Sequence, residues 1–441
     1  MAFISLILAF SFLAIFIRND HKEYPAFSAR LWLPLIWLLL TSTRLLEIAF
    51  PVQGAVGASD AVEAYVRGNA MDRGVSAVLI CLGLWALGKS KFNIAALIKD
   101  NAWLFLLHFY AFISIGWSDF PGISLKRWVR VFGSLIMALL VMVDDDYREA
   151  FEHIFRRYAA ICLTLSVVLI RFYPRFGFVT GVMGTRSWAG VATHKNELAI
   201  LCAFSLLFFI WRILKPKSGS RVYDIIGIFL AIYLLIRAGS ATAGVASLIG
   251  LFMLFSMTLM KYNLKKVIIF TVILSFTIFF ISTIFLKQSD ADLAGNLYRA
   301  AGRDPTLTGR VPIWQFLLKL GSKKLVTGSG YESFWPANLA KVWARFAASP
   351  NNAHNGYLDV LLNLGIIGLI VLLILIVKSL IRLGGMGQMS SAHGRIVFVF
   401  FIIILLRNIS ESSMLNPSLS WFLFLLCSIR VGGSLREASA S

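Results

Sequence analysis

The chain has 441 residues, 58% of them apolar and 15% charged, with a mean hydropathy of +0.78. A soluble chain this apolar could not cover its own surface, so composition excludes an ordinary soluble domain and points to an integral membrane protein. The net charge of +20 does not argue for nucleic acid: most Lys and Arg fall in short connections between apolar runs, where they set orientation and meet anionic lipid.

A membrane span needs roughly 20 apolar residues, or about 17 at the short end, which gives about thirteen candidates and a fair range of about twelve to fourteen. They lie near residues 2–17, 31–50, 74–88, 101–117, 127–143, 158–172, 195–211, 222–238, 241–260, 265–286, 356–379, 395–411 and 416–429. The fold class expected is therefore an all-α polytopic membrane protein. The first run lacks a basic leader and a clear cleavage site and reads as a retained span rather than a signal peptide. Cys81, Cys162, Cys202 and Cys427 all fall inside apolar runs and read as buried structural thiols.

Basic residues alternate in the connections. Arg18/Lys22/Arg30, Lys89/Lys91/Lys99, Arg156/Arg157, Arg212/Lys215/Lys217/Arg221, Lys261/Lys265/Lys266 and Lys378/Arg382/Arg395 share one side, which the charge rule makes cytoplasmic. Lys126, Arg127 and Arg130 fall on the other side and break that rule. Three parts follow: an N-terminal bundle (1–286), a long extracytoplasmic loop (287–355) and C-terminal helices (356–441). The chain has no Walker motif, which disfavours ATP-driven transport.

The long loop ends in Pro350-Asn351-Asn352-Ala353-His354-Asn355-Gly356-Tyr357 and so delivers a histidine to the start of an apolar helix. Histidine suits proton transfer near neutral pH; a capping histidine is the alternative reading. Arg310 follows Thr308-Gly309 and opens a helix through Pro312, where a planar charged fork could cradle phosphate; a surface arginine is the alternative. A third stretch, 184–197, offers Arg186, His194, Lys195, Asn196 and Glu197 at a helix mouth, with an interfacial anchor as the alternative. Arg127, Arg130, Arg237, Arg407, Asn408 and Glu411 complete the outer set. A positive outer face suits an anionic head group such as a lipid diphosphate. Tyr331, Phe334, Trp335, Trp343 and Phe346 either stack on sugar rings or pack the loop onto the membrane face. Asp144-Asp145-Asp146 reads as a helix start and His108 as a packed histidine.

These stretches, in this order, resemble the O-antigen ligase and Wzy-type polymerase superfamily, with the nearest likeness to exopolysaccharide polymerases of the ExoQ type. The likeness rests on Gly116-Trp117-Ser118-Asp119-Phe120-Pro121, on Gly190-Val191-Ala192-Thr193-His194-Lys195-Asn196-Glu197 and on Gly239-Ser240-Ala241-Thr242-Ala243. It continues through Thr308-Gly309-Arg310 with Trp314 and the run from Gly328 through His354-Asn355-Gly356-Tyr357 to Gly368, and covers roughly residues 104–417.

The resemblance implies a GT-C-like bundle and a glycosyltransferase on the outer face of the bacterial inner membrane. It would use an undecaprenyl-diphosphate-linked oligosaccharide to extend another lipid-linked unit or to load a lipid A core; the sequence shows no metal-ligand cluster, so a metal-independent reaction without cofactor is expected. It implies His354 and Arg310 as catalytic, with Arg186, His194, Lys195, Asn196, Arg127, Arg130, Arg237, Asn355, Tyr357, Tyr331, Trp335 and Glu411 in contact with substrate. The family's second arginine often follows a serine; here Ala241 follows Ser240, which leaves Arg186 or Arg237 to supply that charge. A chain-length regulator and a flippase are the expected partners alongside membrane lipid, and nucleic acid is not one. A non-enzymatic transporter would instead place charges inside spans of two matching halves.

Overall fold

The computed structural model describes residues 2–25, 27–50, 70–90, 92–180, 186–215, 221–259, 310–346 and 350–431. The expected span at 265–286, the loop entry at 287–309 with Thr308-Gly309, and Gly184-Thr185 lie outside the described residues.

The helices are α1 (Ala2–Glu23), α2 (Trp32–Ser42), α3 (Leu45–Ala49), α4 (Ala70–Gly88), α5 (Ile94–Asp100), α6 (Ala102–Ile113), α7 (Pro121–Met142) and α8 (Tyr147–Phe172). A small antiparallel hairpin follows, β1 (Phe178–Thr180) with β2 (Arg186–Trp188), pairing Val179 with Ser187. Then come α9 (Lys195–Leu214), α10 (Arg221–Ala238), α11 (Ala241–Leu259), α12 (Arg310–Gly321), α13 (Phe334–Arg345), α14 (Gly356–Leu383), α15 (Ala392–Arg407) and α16 (Leu419–Ser428).

Among the described residues six helices are long and apolar enough to cross a membrane: α1, α4, α8, α9, α11 and α14. The bent pair α5–α6, turned by 90°, makes a seventh if it is one span. The other apolar runs form helices too, but of different make. The helices α7 and α10 reach spanning length yet carry Lys126, Arg127 and Arg130, and Arg221, Asp224 and Arg237, respectively. By contrast α2, α15 and α16 have 11, 16 and 10 residues. The chain is thus a multi-pass membrane protein, helical among the described residues apart from the short hairpin.

The centre is α8, α9, α15 and α16, whose residues are mostly buried; α15 and α16 are apolar almost all round, while α8 and α9 bury charged residues at one end. Phe400 of α15 sits among Phe151, Phe155 and Phe204, edge-on or tilted to each. Outward-facing Leu8, Trp85, Phe229, Ile236, Leu248 and Ile381 are exposed, as lipid-facing side chains would be.

Helix α14 breaks at Gly365, whose φ of +67° favours glycine. The break frees main-chain groups, and the stretch 325–330 satisfies them: Ile366 N–H donates to Leu325 O at 2.8 Å, and Gly330 N–H to Asn363 O at 2.9 Å. Irregular backbone at this depth persists where protein covers it.

One expectation changes. Arg156, Arg157 and Arg212 are not loop charges: they lie within α8 and α9 at 1–2% exposure. Arg156 bonds Asp20 at 2.9 Å and Asp224 at 3.2 Å, and Arg157 bonds Asp20 at 2.6 Å. Arg212 bonds Asp224 at 3.0 Å and also Glu152, which Lys215 reaches at 2.6 Å. His153 joins Asp20 at 2.9 Å. The network ties α1, α8, α9 and α10 at one end of the bundle. Its charges answer one another, as charges in low dielectric must. Asp146 caps α8 through Glu149 N–H, and Asp144 pairs with Arg30 at 2.9 Å.

Candidate active site

Helix direction assembles the site. Two antiparallel helices, α14 starting just after His354 and α15 ending just before Glu411, put both residues at one end of the bundle. Helix α9 starts there at Lys195, and α10 ends there at Arg237.

Asn355 caps α14: its side-chain carbonyl accepts from the N–H groups of Tyr357 and Leu358, both at 3.1 Å. Gly356 N–H donates to Asn408 O (2.9 Å) and Glu411 O (3.1 Å), and a side chain at Gly356 would strike Asn408 Oδ1. Only glycine lets the two segments approach this closely. Tyr357 reaches across to Leu405 O at 3.0 Å. His354 itself has φ +48°, an uncommon conformation for a residue with a side chain. Its N–H donates to Asn352 Oδ1 at 2.9 Å, and Asn355 N–H donates to Ser412 Oγ at 3.0 Å. The backbone on both sides of the histidine is therefore pinned.

Glu411 is the hub. Its Oε1 accepts from Asn196 Nδ2 at 2.7 Å and from Arg310 Nη2 at 3.0 Å. Its Oε2 stands 3.4 Å from His354 Nδ1. Arg310 also donates to Ser410 O. Burial alone would raise the Glu411 pKa. The His354 hydrogen bond and charge, with Arg310 and Arg407 nearby, outweigh that and bring it from 4.5 down to about 2. An ionised Glu411 can only accept, so Nδ1 of His354 is the donor. Neutral His354 then keeps its lone pair on Nε2, the nitrogen able to take a proton from a substrate.

Around this hub Arg407 bonds Glu197 and donates to Ser420 Oγ at 2.6 Å. His194 Nε2 lies 3.9 Å from Glu197, and Lys195 beside it is exposed. The structure thus joins His354, Arg310 and Asn196 through Glu411, with Asn355 next to His354 and bonded to Ser412, and with His194 reaching Glu197, the partner of Arg407. The remaining sequence-derived residues stand elsewhere at this end. Arg127 pairs with Glu332 at 2.8 Å and Arg130 with Asp72 at 2.7 Å. Arg237 lies 4.4 Å above the Trp188 ring and Arg186 5.7 Å above Phe178, on the hairpin. Among the described residues neither is bonded to Glu411 or His354.

Tyr331 and Trp335 are buried at 2% exposure. Tyr331 donates to Leu415 O at 2.7 Å, and Trp335 Nε1 donates to Asp359 Oδ1 at 2.8 Å. Asp359 also accepts from Ala353 N–H at 3.1 Å, holding the residue before His354. Sequence reading passed over Asp359 and Ser412. The available signal was an acid in the first turn of an apolar helix, five residues after the histidine. Among the described residues no three His, Cys, Asp or Glu side chains are grouped as metal ligands.

Residues 226–373 match the O-antigen ligase family, Wzy_C. The matched stretch contains Arg310, His354, Asn355 and Tyr357 and stops short of Glu411. The exopolysaccharide production protein ExoQ of Rhizobium meliloti (strain 1021) is 24% identical over 330 residues, spanning 71% of this chain and 73% of ExoQ. A candidate polysaccharide ligase of Rickettsia felis is 25% identical over 298 residues, spanning 66% of this chain and 69% of that protein. Over residues 226–373 the chain thus carries the signature of the O-antigen ligase (Wzy_C) family, and it is distantly similar to these two polysaccharide proteins.

Proposed function

We propose that this protein polymerises undecaprenyl-diphosphate-linked oligosaccharide repeats on the outer face of a bacterial inner membrane. The match of residues 226–373 to the O-antigen ligase family supports glycosyl transfer from a lipid-linked glycan. The observation that carries the finer reading is Glu411, which orients His354 while holding Arg310 beside it.

In this reading His354 Nε2 takes the proton of the acceptor hydroxyl, and Glu411 stabilises the imidazolium that forms. The acceptor oxygen forms the new glycosidic bond as the sugar–diphosphate bond breaks. The lipid diphosphate leaves with the electron pair, and Arg310, one of the site's cationic groups, meets its charge. The leaving group is already activated, so neither ATP nor a metal ion is required. Lys195 and Asn196 would position sugar at the helix mouth, and Arg186 and Arg237 would receive the carrier's second phosphate.

The test is His354→Ala, with membrane insertion confirmed. Losing a general base should lower the rate about 100- to 10,000-fold, so single lipid-linked repeats accumulate and polymer disappears. Normal polymer would sink the role. Arg310→Ala should lose activity and Arg310→Lys should not restore it, because a lysine lacks the bidentate fork. A chelator should leave the rate unchanged. The relative described as a polysaccharide ligase keeps a second reading open, transfer to a lipid A core. Purified enzyme given only lipid-linked repeats decides it: a polymerase extends them, and a ligase does not.

A further inference from the structure

A cavity of about 210 Å³ opens beside the candidate site. Its polar walls are Thr41, Glu47, Asp72, Arg130, Thr193 and Asn416, with Leu40, Leu46 and Pro417 as apolar patches. Two of its segments run directly into the Glu411 hub. Thr193 precedes His194-Lys195-Asn196, whose amide bonds Glu411, and Asn416-Pro417 belong to the loop that carries Glu411.

The charge of this cavity differs from that of the hub. Arg130 is matched by Asp72, at 2.7 Å. Glu47 is exposed and, among the described residues, has no hydrogen-bond partner; the same holds for Thr193 and Asn416. Arg44 lies within electrostatic reach of Glu47, but its guanidinium donates to Phe176 O at 2.8 Å and does not line the cavity, so the lining itself offers a diphosphate no free cation. The Thr41 hydroxyl donates to Trp37 O at 2.8 Å, so toward the cavity it offers lone pairs, whereas Thr43 both donates to Leu39 O and accepts from Leu45 N–H at 3.3 Å. A wall of carboxylate and hydroxyl acceptors, one amide and an apolar flank suits a polyol ring with many O–H donors and a C–H face.

We infer that this cavity is the subsite for an uncharged pyranose on the acceptor side, next to the ring whose hydroxyl meets His354. The inference rests on the glycosyl-transfer reading and adds to it the class and seat of the acceptor sugar. Glu47 accepts from neighbouring hydroxyls, Asn416 bonds one edge of the ring, and Leu46 and Pro417 pack its C–H face. A uronic acid is disfavoured, because its carboxylate would face Glu47 while Arg130 is already held by Asp72.

The experiment is saturation-transfer NMR on the purified full chain in lipid nanodiscs. The probes are the methyl glycosides of glucose, galactose and mannose, against methyl glucuronide. At least one neutral glycoside should receive saturation on the wild type and equally on His354→Ala. Its signal should fall at least about threefold in Glu47→Gln and in Asn416→Ala, the loss expected when one hydrogen bond is removed. Glu47 is an exposed side chain, so its variant keeps the fold, and the Asn416 variant checks the second wall. No transfer from any neutral glycoside, transfer unchanged in both variants, or stronger transfer to the glucuronide would each overturn the subsite. If His354→Ala binds glycoside and still makes polymer, the catalytic reading fails while the subsite stands.

Discussion

At Glu411 one buried carboxylate serves three partners from three parts of the chain: Asn196, Arg310 and His354. Removing its charge leaves Arg310 without its ionic partner and turns Nδ1 of His354 toward a weaker acceptor. Glu411→Gln should therefore destabilise the chain by about 1–3 kcal/mol, the cost of a poorly matched buried hydrogen bond, and lower polymer yield. The pH dependence follows from the depressed pKa. A carboxylate held at about 2 rather than 4.5 contributes stability that is fully present above about pH 4.5 and is lost as pH falls toward about 2. Thermal unfolding of wild type and Glu411→Gln should differ by a constant margin near neutrality, and the margin should close as pH drops below about 4.5. A margin that widens on acidification would contradict an ionised, paired Glu411.

Among elements, the joints between helices carry specific chemistry. Helix α14 is interrupted at Gly365, and the stretch 325–330 closes the interruption, which seats the loop that positions Tyr331 and Trp335. At the far end α1, α8, α9 and α10 are held by the buried ion network. Asp224, fully buried, answers both Arg156 and Arg212. Asp224→Asn removes a charge and leaves two buried guanidiniums short of a partner, a change that costs about 3–5 kcal/mol. The expected outcome is a lower unfolding temperature in detergent with normal turnover per folded molecule, since the network lies at the opposite end from His354. Unchanged stability would mean that the charges are hydrated rather than buried.

For the whole molecule, the two ends have different surfaces, and the direction of the helices sorts residues between them. Asn351 and Ser390 are both exposed, one beside His354 and the other in the turn between α14 and α15. Cys81, expected from the sequence to be buried, is exposed on α4, unlike Cys162, Cys202 and Cys427; with it removed as Cys81→Ser, a membrane-impermeant thiol reagent applied to intact spheroplasts should label Asn351→Cys and spare Ser390→Cys. The reverse pattern would put the site on the cytoplasmic face and overturn an outer-face reaction. The same sorting explains why Lys126, Arg127 and Arg130 broke the charge rule. Arg127 and Arg130 are bound to Glu332 and Asp72 at the His354 end, so they meet carboxylates there instead of lipid phosphate.

Some of this was written in the chain itself. Hydropathy alone dictates a multi-pass helical protein, because only helices hide the main chain in lipid when no barrel pattern is present. The Pro-Asn-Asn turn before His354 and the acidic helix start at Asp144-Asp145-Asp146 were legible because such signals act over three or four residues, whereas the cap of α14 is Asn355 and not the histidine. Tertiary structure decided everything that depends on residues far apart. Glu411 lies 57 positions from His354 and 215 from Asn196, so no local pattern marks it as the residue that joins them. Arg156 and Arg212 looked like loop charges because their partners, Asp20 and Asp224, are 136 and 12 residues away on other helices. The tyrosine and tryptophan of the loop could have faced sugar or packed inward, and the polar ends of their rings decided it by reaching Leu415 O and Asp359. Local sequence determines which segments are helices and where they start. Which charges meet is determined by how those helices pack, since in a low dielectric each charge must find its opposite wherever the fold places it.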